Sequence, residues 1–275
     1  MTDAVLINML IAPQISAADA GLARRLQQLR AAIAAAAAQG GRTEQSVTLV
    51  AVSKGQGADR VRAAAALGLT HFGESYVQEA LPKRRALAEL ALCWHFIGRI
   101  QANKTRPIAE QFDWVHGLDR LQIAERLSAQ RPAAAAPLNV CLHVNIAAEA
   151  SKAGVAPAEL PGLAGAVARL PRLALRGLMC ILPAGQSERS NRAHFRALRE
   201  LLVDIDAGRG RLDTLSMGMS ADFREAVLEG ATLLRVGTAL FGARPGRDPD
   251  TGGGDGGGGA ARGDQGPSPP AAGVG

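Results

Sequence analysis

A lysine at the end of an apolar run is the first chemical signal in the chain. In "TLVAVSKGQG" (48–57), Leu49, Val50, Ala51 and Val52 read as a buried strand that gives way to Ser53, Lys54 and two glycines. Lysine is almost never fully buried unless paired. An amine placed where an apolar strand ends is partly desolvated, which lowers its pKa and frees the neutral form. A neutral amine can attack an aldehyde to give a Schiff base. The structural alternatives are a snorkelling side chain or a buried ion pair with a carboxylate such as Glu74.

A second signal lies near the other end. In "RVGTALFG" (235–242), Gly237 permits close backbone approach, and the N–H and hydroxyl of Thr238 can both hold phosphate oxygens. Just upstream, "SMGMS" (216–220) offers a hydroxyl and glycine-flanked N–H groups.

Elements must bring these segments together. Short apolar runs occur at 47–53, 70–74, 92–98, 112–117, 138–145, 173–181, 211–218 and 232–242. Alanine-rich segments of helical period lie between them, at 58–67, 76–90, 103–110, 119–130, 157–169, 190–207 and 220–229. A leading helix over 19–39 ends at Gly40-Gly41. Eight strands alternating with helices predict an α/β fold. A doubly wound open sheet is one solution, but eight regular units fit a single (β/α)8 barrel (TIM barrel) better. In such barrels the chemistry gathers at the C-terminal strand ends.

That rule sorts the polar residues. Lys54 follows strand 1, Glu74 and Ser75 follow strand 2, and His95 lies in strand 3, with Gln101, Asn103 and Lys104 beyond it. His116 ends strand 4, Asn145 ends strand 5 with Lys152 further on, and Met179 and Cys180 end strand 6. Ser216 ends strand 7, and Arg235, Gly237 and Thr238 end strand 8. Each has a plainer reading. His95 and His116 also fit hydrogen-bonded core histidines, Met179 and Cys180 fit packing, and Gln101, Asn103 and Lys104 fit helix capping. A strand-1 lysine facing a phosphate grip after strands 7 and 8 suggests a phosphorylated aldehyde. Pyridoxal 5′-phosphate (PLP) has both handles.

Bulk properties exclude other classes. The chain has 275 residues, 47% hydrophobic but only 3% aromatic, so its core is built from small and branched aliphatic side chains. The net charge of +6 comes from arginines scattered over helical faces, and nine aromatics leave little for base stacking, which argues against nucleic acid. Cys93, Cys141 and Cys180 are an odd set without a CxxC pair, as expected of reduced core cysteines in a cytoplasmic protein. The five histidines show no HExxH or HxH spacing, so no metal site is expected. No run approaches a membrane span. Residues 1–18 read as an N-terminal extension, 19–244 as the barrel, and 245–275 as a disordered tail with twelve glycines and five prolines.

Several long segments then identify a family. "AVSK" (51–54), "HFGESYVQEALPK" (71–83), "WHFIGRIQANK" (94–104), "KAGV" (152–155), "GLMCI" (177–181), "TLSMGMSADFREAV" (214–227) and "LLRVGTALFGAR" (233–244) occur in order over nearly the whole chain from Gly21 to Arg244. In these the chain resembles the YggS/PROSC-type pyridoxal-phosphate homeostasis proteins. The resemblance implies a single barrel akin to the N-terminal domain of bacterial alanine racemase. It implies that Lys54 holds PLP as a Schiff base, that Arg235 approaches the pyridine nitrogen, and that Ser216, Gly237 and Thr238 hold the phosphate. With Ser75, His95 and Met179 from the strand ends, these form the expected cofactor set.

An arginine beside the ring nitrogen disfavours its protonation and weakens the ring as an electron sink. A racemase also needs a second acid/base opposite the lysine. The family's racemase relatives use a tyrosine of a second domain, whereas this chain has one tyrosine, Tyr76, at the start of a helix. The resemblance thus implies a monomeric cytoplasmic carrier or buffer of PLP, serving PLP-dependent apo-enzymes, with little turnover. The alternative is a PLP-dependent amino-acid racemase or lyase, with His95 or His143 as second base. The chain departs from the family pattern at Ser75 (usually asparagine), at "SKGQG" (usually "SKTKP"), at "HGLD" (116–119, usually "HSxD") and at "HVN" (143–145, usually "QVN").

Overall fold

The computed structural model describes residues 17–149, 153–207 and 211–243. Lys152, the tail 245–275 and most of the expected N-terminal extension lie outside these residues. Eight strands run in chain order: β1 (Thr48–Val52), β2 (His71–Glu74), β3 (Cys93–Phe96), β4 (Trp114–Leu118), β5 (Leu138–His143), β6 (Leu173–Met179), β7 (Thr214–Ser216) and β8 (Leu233–Val236). Each pairs in parallel with the next, and β8 returns to β1, so the sheet is a closed barrel without edges. The expected (β/α)8 architecture is therefore the observed one.

The connections are helical. α1 (Ala17–Gln39) precedes β1, followed in turn by α2 (Ala58–Ala66), α3 (Val77–Ala86), α4 (Thr105–Gln111), α5 (Leu121–Gln130), α6 (Leu160–Val167), α7 (Glu188–Asp206) and α8 (Phe223–Leu228). A last turn of helix, α9 (Thr238–Phe241), follows β8. α1 buries Leu22, Leu26, Leu29 and Ile33, spaced four, three and four apart, which makes one apolar stripe. Burying each such side chain stabilises the fold by roughly 1.5–3 kcal/mol. Arg25 Nε of α1 donates to Leu240 O after β8, and Arg42 Nη2, three residues past the helix, donates to Ala231 O before β8, each at 2.8 Å. Among the described residues no helix is long and apolar enough to cross a membrane.

The predicted strand over 232–242 is corrected. It stops at Val236, because Gly237 turns out of extended geometry (φ −113°, ψ −75°). The Gly237 carbonyl then accepts from Leu240 N and Phe241 N, at 3.0 and 2.8 Å, and closes α9. This places Gly237 and Thr238 at the start of a helical turn on the barrel's C-terminal rim. The predicted helix over 76–90 is also shorter, ending at Ala86.

Candidate functional site

Lys54 sits one residue beyond the Ser53 that ends β1's apolar run, half-buried on the C-terminal rim. Its neighbours brace it. The buried Lys83 ammonium donates to Ser53 O (2.7 Å), Glu74 Oε1 (2.8 Å) and Glu79 Oε1 (2.6 Å). Ser53 Oγ donates to Glu74 Oε1 at 2.6 Å, and Gly55 N donates to Glu79 Oε1. The residues on both sides of Lys54 are thereby pinned. Glu74 answers to Lys83 rather than forming the alternative ion pair with Lys54. Burial raises the Glu74 carboxyl above its ordinary value even though Lys83 and Ser53 hydrogen-bond to it.

A cleft of about 320 Å³ opens beside Lys54, a volume typical of small-ligand sites. It is lined by Lys54, Ser75, Ser220, Arg235, Gly237 and Thr238, with Ile97, Ile181 and Phe241 supplying apolar wall. Ser75 reaches it because Gly98 lets β3's end pass close: a Cβ there would lie 2.4 Å from Ser75 O. The "SMGMS" turn reaches it through Gly218, whose φ of +93° favours glycine and where a Cβ would meet Ala226 Cβ at 2.6 Å. Asp222 fixes the same turn by accepting from Met219 N at 2.6 Å. A second cleft shares Lys54, Ser75, Ile97 and Ile181 and extends toward Tyr76, Arg99 and Lys104.

Arg235 is 4% exposed and forms the inner wall of the first cleft. It donates from Nη1 to Ser216 Oγ at 2.6 Å and from Nη2 to Cys180 O at 2.8 Å. Burial pushes this guanidinium down from its ordinary value, but an arginine stays charged at neutral pH. Behind it a polar chain crosses the barrel interior. Ser216 Oγ lies 2.7 Å from His116 Nδ1, His116 Nε2 lies 2.9 Å from His95 Nδ1, and His95 Nε2 lies 2.9 Å from His71 Nδ1. β4 and β7 are not neighbours in the sheet, so the His116–Ser216 contact spans the lumen. Burial holds both His95 and His116 well below the usual histidine range, helped by neighbouring His116 and His71 in the first case and by Arg235 in the second. Both rings are neutral.

Five of the eight expected cofactor residues meet in the cleft: Lys54, Ser75, Arg235, Gly237 and Thr238. Three do not line it. Ser216 lies beneath, fully buried and engaged by His116 and Arg235. His95 is a fully buried link of the interior chain. Met179 is buried and borders a neighbouring cavity with His143, whose pKa burial and the nearby Arg235 push down to about 4. Sequence reasoning passed over Ser220, which lines the cleft and whose Oγ accepts from Ala239 N at 3.2 Å. Both serines of "SMGMS" were visible, but only the chain's path after Gly218 shows which one faces out. Lys83 was also missed; its spacing of four from Glu79 reads as a surface pair until Glu74 is placed beside it.

The donor set suits a phosphorylated aldehyde with an aromatic ring. It holds an amine, a buried guanidinium and three hydroxyls in one cavity of the right size, and comparisons with known proteins point the same way. Residues 24–245 match the family model described as alanine racemase, N-terminal domain. A pyridoxal phosphate homeostasis protein of Pseudomonas aeruginosa is 57% identical over 223 residues, 81% of this chain and 96% of that protein. One of Escherichia coli K12 is 48% identical over 229 residues, 81% of this chain and 97% of its own length. The solved structure of PipY from Synechococcus elongatus PCC7942, with PLP bound, superposes with a TM-score of 0.71 at 38% identity, covering 80% of this chain and all of that one. The chain belongs to the pyridoxal phosphate homeostasis proteins, a family built on the alanine racemase N-terminal domain.

Proposed function

We propose that this chain binds PLP in the Lys54–Arg235 cleft and acts as a monomeric PLP carrier or buffer in the cytoplasm, delivering PLP to apo-enzymes, with little turnover of its own. The observation that supports this most is the meeting of Lys54, Arg235, Ser220 and Thr238 in one cleft on the rim of a closed barrel. PLP, when bound, supplies an aldehyde and an electron-accepting ring. Lys54 Nζ would hold the aldehyde carbon through a carbon–nitrogen bond, with water leaving. Ser220 and Thr238, at the turn before α8 and the start of α9, would hold the phosphate. Arg235 keeps a fixed positive charge at the inner wall. A cation there opposes protonation of a ring nitrogen held against it, which weakens the electron sink.

Acid/base support for turnover is weak in the described residues. His95 is walled off in the barrel interior and is neutral. Tyr76 is 63% exposed where it lines the second cleft, and His143 lines an adjoining cavity rather than the cleft that holds Lys54. The test is the absorption spectrum of the purified chain, followed by borohydride reduction and peptide mapping. The reading expects a visible band, a reduced adduct on Lys54, no adduct in Lys54→Ala, and racemisation no faster than free PLP. A protein that stays colourless after PLP is added, or an adduct on another lysine, would overturn it.

A further inference from the structure

The barrel floor, at the opposite end from the cleft, carries a second cluster of donor atoms. His71 opens β2 and Cys93 opens β3, and the two are paired in register. His95, two residues after Cys93, points to the same face of its strand. His71 Nδ1 lies 2.9 Å from His95 Nε2, and Cys93 Sγ lies 3.4 Å from that same nitrogen. One ligand atom from each residue lies within 4.8 Å of the other two. A tetrahedral ion with bonds of about 2.0–2.1 Å to nitrogen and about 2.3 Å to sulfur needs separations of about 3.3 Å between nitrogens and about 3.6 Å between nitrogen and sulfur. The observed 2.9 and 3.4 Å fall short of those spacings by only about 0.2–0.4 Å.

We propose that His71, Cys93 and His95 form a binding site for a borderline-soft divalent transition metal, zinc above all, with water completing the fourth position. Two imidazoles and a thiolate favour such ions over magnesium or calcium, which prefer oxygen. The cluster lies at the other end of the barrel from the PLP cleft, and its assignment does not rest on that cleft's reading.

The surroundings fit an ion. His71 and Cys93 are half-buried and so keep some access to solvent, while His95 is buried and held. Trp114 stacks on His95 at 5.5 Å with 15° between the rings. His116 Nε2, 2.9 Å from His95 Nδ1, can accept the N–H that a metal-bound histidine donates to an outer partner. The Asp113 carboxylate, held by Trp94 N at 2.8 Å, acts on both His71 and Cys93 and adds negative charge beside the site. The Arg84 guanidinium also acts on Cys93, and its buried Nε and Nη1 have no acceptor among the described residues. Burial and Asp113 hold the Cys93 thiol up at about 12 without metal, so it is protonated until an ion displaces the proton. Both histidines bind neutral, His71 with its proton on Nε2 and His95 with its proton on Nδ1. One proton, from the Cys93 thiol, therefore leaves to solvent per ion bound.

The ligands come from two strands, which is why no contiguous metal motif is present in the sequence. Binding would also set the direction of the interior chain. With His95 Nε2 on the ion, His95 Nδ1–H donates to His116 Nε2, and His116 Nδ1–H donates to Ser216 Oγ.

The test is titration of the full chain with Co²⁺, recorded in the Lys54→Ala variant so that PLP absorption does not interfere. The expected result is one cobalt per chain, with tetrahedral ligand-field bands and a sulfur-to-cobalt charge-transfer band, all displaced by Zn²⁺. Cys93→Ser should abolish the charge-transfer band and weaken binding at least about ten-fold. His71→Asn should weaken binding by a similar factor and keep the band at saturating cobalt. His71→Asn sits at the open floor and decides the matter if Cys93→Ser does not fold. Absence of a saturable 1:1 signal, or affinity unchanged in His71→Asn, would overturn the proposal.

Discussion

His116 Nδ1 lies 2.7 Å from Ser216 Oγ and so joins β4 to β7 through the barrel lumen. The same oxygen accepts from Arg235 Nη1 at 2.6 Å, which makes Ser216 the link between the interior histidines and the cleft wall. Ser216→Ala leaves a buried guanidinium N–H and a buried imidazole nitrogen without that partner. The expected cost is about 1–3 kcal/mol of stability, read from urea denaturation. Ser220→Ala, on the cleft surface, should cost under about 1 kcal/mol and instead weaken competition of inorganic phosphate with PLP. If the two variants exchanged these effects, Ser216 would be the phosphate hydroxyl.

Lys83 fixes the position of Lys54 without touching the cleft. Its ammonium joins Ser53 O, Glu74 Oε1 and Glu79 Oε1. Lys83→Met leaves the fully buried Glu74 uncompensated, at a cost of about 3–5 kcal/mol. Pairing it with Glu74→Gln should recover part of that loss. A double-mutant cycle with no coupling between the two positions would show that Glu74 is already neutral in the native protein.

The barrel was legible because its signal is collective. Eight apolar runs alternating with alanine-rich helices admit few other closed solutions, and each run contains its strand except that β4 extends one residue past its run, to Leu118. Boundaries were less legible where one residue changes the backbone's direction. "TLLRVGTALFG" stays apolar across Gly237, so composition cannot show that the strand ends there and a helical turn begins. The cleft was legible through Lys54, Arg235, Gly237 and Thr238, which the strand-end rule brings to one rim. The same rule placed His95 and Ser216 at the mouth. Their depth along short strands, and the hydrogen bonds that only the closed lumen permits, put them beneath it. The grouping of His71 with Cys93 and His95 depends on the register between β2 and β3, which sequence spacing does not carry.

Ser75 stands in the cleft where the family pattern has asparagine. It is half-buried, and the close passage of Gly98 fixes its backbone. An asparagine reaches one bond further and offers both a donor and an acceptor. Ser75→Asn should therefore gain one hydrogen bond to bound PLP, worth about 1 kcal/mol, or roughly a five-fold slower loss of PLP on dialysis. The measurement is the decay of the visible band under dialysis. An unchanged or faster decay would show that serine already makes the contact that the family's asparagine makes.

Glu229 gives the fold a defined acid sensitivity. It is 2% exposed and follows α8, where Arg192, Arg196 and Arg199 of α7 converge on its carboxylate. Burial works to raise this carboxyl, but the hydrogen bonds from Arg196 and Arg192 outweigh it and hold it below the ordinary value. A carboxyl depressed in the folded state contributes stability that is complete above its unfolded pKa, about 4.3, and is lost as pH falls through the lower folded value. Glu229→Gln should cost about 1.5–3 kcal/mol at neutral pH, the range of hydrogen bonds to charged groups. The gap between wild type and variant should close as pH drops below about 4. Urea midpoints for both proteins between neutral pH and pH 3 measure that gap directly. A gap that stayed constant over this range would mean that the arginines dock α7 through packing alone.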